Sequence, residues 1–141
     1  MKTITIGILI SCFVFAAVPR TVWAGEGHGH NHEAAVEPAP HGGILRDAPP
    51  YKSELLLKGE VAKIYVYDKG LKLAPLKTET LEAKIRFPKE KKDRTVIFKR
   101  EADYFVAPLP GISKVHRYDL HVTLKEGPTS TLIDFGVDNI H

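Results

Sequence analysis

The sequence predicts an all-β fold, an immunoglobulin-like β-sandwich of about seven strands, for residues 41–141. Three features support this fold class. Short stretches rich in strand-forming residues recur between turn residues at a spacing of roughly 8 to 12 residues. Several of them alternate between apolar and polar side chains. No segment has a sustained helical period, and the best helix candidate, residues 78–83, is very short.

The first strands are predicted from apolar runs that stop at turn residues. A short strand is expected around residues 44–45, a second covers residues 51–58, and a third covers residues 61–67. The third run is β-branched and aromatic, a composition that favours strands. Tyr65 and Tyr67 share one face of it, where packing between strands is expected rather than a stack for a ligand.

The later strands include the clearest alternation in the chain. Residues 82–87 and 117–124 alternate apolar with polar side chains, as in half-buried strands. Residues 95–99, 104–107 and 132–137 complete the predicted sheets. The alternation predicts four inward-facing side chains: Ile85, Phe87, Leu120 and Val122.

Residues 1–24 have the pattern of a secretory signal peptide. Lys2 gives a basic start, residues 4–18 are mostly apolar, and cleavage is expected after Ala24, which predicts a periplasmic protein. The apolar run is shorter than the ~18 to 20 residues that a membrane span needs. A retained amphipathic anchor is one alternative. A lipoprotein signal ending at Cys12 is another, although much of the apolar run would then follow the cleavage site.

The composition of the chain after cleavage excludes several classes of function. The signal peptide contains two of the 20 basic side chains and none of the 17 acidic ones, so the remaining net charge is near +1. This balance is not that of a nucleic-acid-binding protein. The single cysteine and single methionine are Cys12 and Met1, which are also removed. The mature chain therefore has no disulfide, no catalytic thiol and no sulfur ligand for Cu(I).

Residues 25–40 are predicted to form a flexible, disordered tail, because Gly, Pro, Glu and His dominate them. His28, His30 and His32 occupy alternate positions in this tail. Short His-rich tracts often bind metals, since neutral imidazole is the commonest metal ligand. Alternate residues of an extended chain lie about 6.6 Å apart, so the tail has to curl to chelate an ion. A solvated tail without a specific ligand is the alternative.

Three residues of the predicted domain are further candidate metal ligands. His41 precedes Gly42 and Gly43 at the start of the domain, where the alternative is a polar turn residue. Asp119 and His121 are two residues apart on the outward face of a predicted strand. The alternative there is an exposed ion pair, which contributes little to stability.

Motifs for catalysis are missing from the sequence. It has no Gly-x-Ser-x-Gly element, no glycine-rich phosphate loop and no His-Glu-x-x-His zinc-protease motif. We therefore expect a protein that is not an enzyme. The expected ligand is a divalent transition metal such as Zn, Cu, Ni or Co, and because imidazole suits Zn, Cu and Ni alike, the sequence does not choose among them.

Several patterns together resemble a known group of proteins. A His-rich leader runs into His41-Gly42-Gly43, and the strand patterns Ile-Tyr-Val-Tyr-Asp, ending at Asp68, and Tyr-Asp-Leu-His-Val, starting at Tyr118, follow. Over residues 41–137 this is similar to small periplasmic proteins that accompany heavy-metal efflux systems. It also resembles the N-terminal β-domain of periplasmic adaptor (membrane-fusion) subunits of cation-efflux pumps.

The resemblance implies a β-sandwich with a role in metal handling and a periplasmic pump component as partner. The chain lacks the helical hairpin and lipoyl-like segments of full adaptors, so it is not expected to bridge a pump to an outer-membrane channel. The leading hypothesis is a periplasmic accessory protein whose tail captures divalent metal ions. The alternative is an envelope interaction domain that binds another protein through its sheet or a strand edge, with an incidental tail.

Overall fold

A computed structural model describes residues 37–139 as an antiparallel β-structure. The described range contains one 3-10 helical turn, Ile112–Lys114, and no helix long and apolar enough to cross a membrane. Its eight strands are β1 Ile44–Ala48, β2 Tyr51–Lys58, β3 Val61–Tyr67, β4 Thr80–Arg86, β5 Arg94–Glu101, β6 Tyr104–Pro108, β7 Arg117–Glu126 and β8 Thr129–Asp138.

The eight strands form one continuous sheet in the order β1-β2-β3-β6-β5-β4-β7-β8. The two strands at the ends of this order, β1 and β8, contact each other, so the sheet is nearly closed. The all-β class predicted from the sequence is confirmed. The finer prediction, two packed sheets of the immunoglobulin type, is not confirmed, since every strand belongs to the same hydrogen-bonded sheet.

Two predicted segments lie mostly or wholly outside the described residues. The signal peptide, residues 1–24, is outside them, as is the predicted tail up to residue 36. The last tail residues, 37–40, are described and meet the sheet, where Glu37 forms an ion pair with Lys52 of β2.

The hydrophobic core lies on the inner face of the sheet, as the alternation predicts. In β4 every second side chain is buried, and the same pattern continues along β7 and β8. This arrangement follows from the two-residue period of a strand, which sends successive side chains to opposite faces. The four side chains predicted to face inward are all buried: Ile85, Phe87, Leu120 and Val122.

Strand β3 departs from this pattern because both of its faces are covered. Ala62, Ile64 and Val66 belong to the core, whereas Tyr65 and Tyr67 project from the other face and are only 8% and 2% exposed. The predicted packing role of the two tyrosines is confirmed. Their burial on an outer face requires a cover, and the chain just before β1 supplies it.

Candidate functional site

A buried glutamate forms the centre of the candidate site. Glu54 lies in the middle of β2, and its neighbour Leu55 belongs to the core, so Glu54 projects from the outer face. It is directly opposite Tyr65 on β3. Its exposure is nevertheless 0%. A carboxylate removed from water is strongly destabilising unless it is paired and hydrogen-bonded, so its partners decide whether this position is tolerated.

Four hydrogen-bonding groups surround the Glu54 carboxylate. Oε1 accepts hydrogen bonds from the backbone N–H groups of His41, at 2.9 Å, and Gly43, at 2.8 Å. Oε2 accepts a hydrogen bond from the Tyr67 hydroxyl at 2.7 Å and lies 3.0 Å from Nδ1 of the His41 ring. Each oxygen therefore has two partners, which is the full capacity of its lone pairs.

These contacts set the ionisation of both side chains. Burial of the Glu54 carboxyl raises its pKa. The hydrogen bonds from Gly43, Tyr67 and His41 together lower the pKa by more than burial raises it, so the pKa of Glu54 is below its usual value. Burial raises the pKa of the Tyr67 hydroxyl, and the negative charge of Glu54 raises it more. Glu54 is thus ionised at neutral pH, and Tyr67 remains a hydrogen-bond donor.

The His41-Gly42-Gly43 turn fits over this carboxylate because of its two glycines. Gly42 has a φ of 76°, in the left-handed region that glycine adopts without strain, and its N–H donates to the Ala39 carbonyl at 3.0 Å. A Cβ atom on residue 43 would lie 2.4 Å from the Leu55 carbonyl oxygen. Only glycine allows the backbone to approach β2 this closely.

The His41 ring is held from its face and from one edge. It stacks on Tyr65 with ring centroids 3.9 Å apart and planes 14° apart. Its Nδ1 atom lies 2.9 Å from the Tyr67 oxygen as well as 3.0 Å from Glu54 Oε2. The side chain remains 42% exposed, and its other nitrogen, Nε2, has no hydrogen-bond partner among residues 37–139.

His121 and Asp119 lie on the outer face of β7, as predicted, but they do not form a pair with each other. His121 Nδ1 is instead 2.6 Å from Oδ1 of Asp134, its cross-strand neighbour on β8. The Nε2 atom of His121 is buried and has no hydrogen-bond partner in the described part of the chain. Asp119 is paired across the sheet with Arg86 and Gly136.

His41 and His121 are therefore each paired with a carboxylate that the sequence did not single out, and Asp119 belongs to neither pair. Among residues 37–139, no three His, Cys, Asp or Glu side chains are grouped closely enough to hold a metal ion. His28, His30 and His32 lie outside the described residues. Sequence reasoning missed Glu54, Tyr67 and Asp134, which are the partners of the two histidines.

Comparison of the chain with protein-family models, with curated proteins and with solved structures found no match. The functional argument therefore depends on the residues of this chain.

The lowered pKa of Glu54 predicts how acid affects the metal-free protein. A carboxyl whose pKa is lower in the folded than in the unfolded state stabilises the fold above its unfolded pKa, near 4.5 for a glutamate. This stabilisation is lost as the pH falls below that value. Denaturant unfolding followed between about pH 6 and pH 3 should show a steeper loss of stability in the wild type than in Glu54→Gln.

The same comparison separates Glu54 from other acidic groups. Asp93, whose pKa is lowered by its hydrogen bond with Arg86, contributes equally to both proteins and cancels in the difference. Parallel stability curves for the wild type and Glu54→Gln would contradict the assigned role of Glu54.

Proposed function

We propose that the protein is a periplasmic, non-enzymatic accessory protein that captures divalent transition-metal ions through its His-rich tail and acts in heavy-metal efflux or resistance. The observation that carries this proposal is the arrangement of His41, where the tail joins the domain. Nδ1 of its imidazole ring lies 3.0 Å from Glu54 Oε2, and its Nε2 has no hydrogen-bond partner among residues 37–139. A ligand fixed in this way is typical of metal-binding histidines, which usually donate their other ring N–H to a carboxylate.

The donor chemistry defines the class of ion. After removal of residues 1–24 the chain has seven histidines and no cysteine or methionine, so nitrogen and oxygen are the available donors. Imidazole suits divalent transition metals such as Zn, Cu and Ni, whereas Mg and Ca prefer oxygen ligands. The proposed cargo is therefore a divalent transition-metal ion.

The proposed partner is a periplasmic component of a cation-efflux pump, which would receive the captured ion. This part of the proposal is supported by the resemblance to efflux-associated proteins. We also propose that the nearly closed sheet is flattened into the two layers of an immunoglobulin-like sandwich, because its strands enclose one shared hydrophobic core.

Calorimetric titration of the mature protein with Zn(II) and Cu(II) tests the capture of metal by the tail. Replacing His28, His30 and His32 together with Ala should remove most of the binding and leave the fold unchanged. Binding to the wild type should weaken as the pH falls through about 6.5, because imidazole has to be neutral to bind.

His121→Ala is the matched control, because it removes a histidine of the sheet and should leave most binding intact. Unchanged affinity in the triple variant would contradict tail capture. It would favour the alternative of an envelope interaction domain with an incidental tail. A large loss in His121→Ala would instead move the site to the sheet, beside Asp134 and Asp119.

A further inference from the structure

We propose that Nε2 of His41 is a metal ligand, and that Glu54 and Tyr67 are positioning residues that hold its ring in the Nδ1–H tautomer. This inference rests on the proposed function and extends it. It means that a captured ion is attached to the folded domain and not only to the tail.

The tautomer follows from the donors and acceptors around Nδ1. An ionised carboxylate only accepts hydrogen bonds, so Glu54 requires a donor at each contact. Tyr67 donates its one hydroxyl proton to Glu54. Neither Glu54 nor Tyr67 can then donate a hydrogen bond to His41 Nδ1. Nδ1 therefore carries the ring proton and donates it to both Glu54 Oε2 and the Tyr67 oxygen. In the neutral ring Nε2 is therefore the atom with the free lone pair.

The ring is also fixed in space before any ion arrives. The stack on Tyr65 restrains its plane, and the Nδ1 contacts restrain its rotation within that plane. The backbone on both sides is held by Glu54 through the N–H groups of His41 and Gly43. A ligand that is already ordered loses little conformational entropy on binding, which increases its affinity.

Glu54 itself is excluded as a ligand. Its side chain is fully buried, and each of its oxygens already has two hydrogen-bonding partners. Its role is to orient the imidazole and to increase the basicity of Nε2, as carboxylates behind metal-binding histidines do. The remaining coordination positions of the ion are open to water or to further ligands.

The His121–Asp134 pair provides an internal comparison. It has the same chemistry, a carboxylate oxygen 2.6 Å from a histidine Nδ1. Its Nε2 atom, however, is buried without a hydrogen-bond partner in the described chain, so an ion cannot reach it without rearrangement. His41 presents its ring to solvent. The difference in access to solvent predicts that the His41–Glu54 pair supplies a metal ligand and that the His121–Asp134 pair does not.

Glu54→Gln should reverse the tautomer of His41. The two backbone N–H groups of His41 and Gly43 require an acceptor, so they should hold the amide oxygen at the position of Oε1. The amide NH₂ group would then replace Oε2 and donate toward His41 Nδ1. Nδ1 becomes an acceptor, the proton moves to Nε2, and the ligand atom is blocked. Loss of a partner behind a metal-binding histidine typically weakens metal affinity about 10- to 100-fold.

Long-range ¹H–¹⁵N NMR of the mature protein, at a pH above the ordinary imidazole pKa of about 6.5, reads each ring nitrogen separately. Without metal, His41 should show a protonated Nδ1 and an unprotonated Nε2, and Zn(II) should shift the Nε2 signal. In Glu54→Gln, Nε2 should be the protonated nitrogen and Nδ1 the unprotonated one. The Zn(II) affinity read from the His41 signals should fall about 10-fold or more. Asp134→Asn, the matched control, should change only His121.

The outcomes separate this inference from the proposed function. If Zn(II) shifts the tail histidines but not His41, the inference is wrong and tail capture stands. If Zn(II) shifts His41 in the variant that lacks His28, His30 and His32, and the tail signals of the wild type do not respond, His41 is a ligand and tail capture is wrong. An Nε2–H tautomer in the metal-free wild type would overturn the positioning role, whether or not Glu54→Gln folds.

Discussion

Phe87→Ala should lower the free energy of unfolding by about 3 to 5 kcal/mol, the range for removing a buried aromatic ring. Phe87 directly follows β4 and is 5% exposed. Its ring centroid lies 6.3 Å from that of Tyr118, and the Arg94 guanidinium carbon lies 5.0 Å from its ring centroid. The substitution removes these contacts and leaves a cavity that the closely packed core can fill only in part.

Leu132→Ala is the matched control for Phe87→Ala. Leu132 lies in β8 but is 60% exposed, so its truncation should change stability by no more than about 0.5 kcal/mol. Chemical denaturation of both variants measures the difference. A loss below about 1 kcal/mol in Phe87→Ala would place this ring on the surface and contradict the described face of β4.

The inward position of Phe87 could be predicted because it depends on a local rule. A strand sends alternate side chains to opposite faces, and residues 82–87 alternate charged and apolar side chains. The same rule placed Leu120 and Val122 inward and His121 outward. Which strands are neighbours depends on contacts between distant segments, and the alternation contains no information about them. The alternation therefore could not predict that all eight described strands belong to one hydrogen-bonded sheet.

The candidate site could be predicted only in part for the same reason. The sequence indicates His41 as a candidate because a histidine before two glycines marks a turn with potential ligands. It does not indicate Glu54, since a charged residue in a strand ordinarily faces solvent. Its backbone partners are 11 and 13 residues away along the chain, and Tyr67 is 13 residues away. The only signal in the sequence is the Gly42-Gly43 pair, which allows the backbone to approach another segment closely. The pair does not indicate which strand is approached.

The partner of His121 shows more directly that the register between strands limits what the sequence can predict. Asp119 was the evident carboxylate because it lies two residues away on the same strand face. The actual partner, Asp134, is 13 residues away on the adjacent strand. A shift of one residue in the pairing of β7 with β8 would put Asp134 on the opposite face. Local spacing therefore could not identify it, whereas the outward orientation of His121 could be read from the alternation.

Gly43→Ala should be the most damaging small substitution at the site, with a loss of about 3 kcal/mol or more. The added Cβ would lie 2.4 Å from the Leu55 carbonyl oxygen and 3.0 Å from Glu54 Cγ. The first of these is a backbone atom of β2, which cannot move aside as a flexible side chain can. The turn has to lift away from β2, and Glu54 then loses hydrogen bonds from His41 and Gly43 while it remains buried.

Gly136→Ala tests whether this effect is specific to the contact. Gly136 lies in β8, and an added Cβ would be 3.7 Å from an Asp119 oxygen, an ordinary van der Waals distance. Thermal unfolding of this variant should match the wild type within about 0.5 kcal/mol. Gly43→Ala should also release the His41 ring from Tyr65 and Glu54, so the NMR signals of both ring nitrogens should change in the metal-free protein. A Gly43→Ala protein with wild-type stability and an unchanged His41 tautomer would show that the close approach of the turn does not hold the imidazole in place.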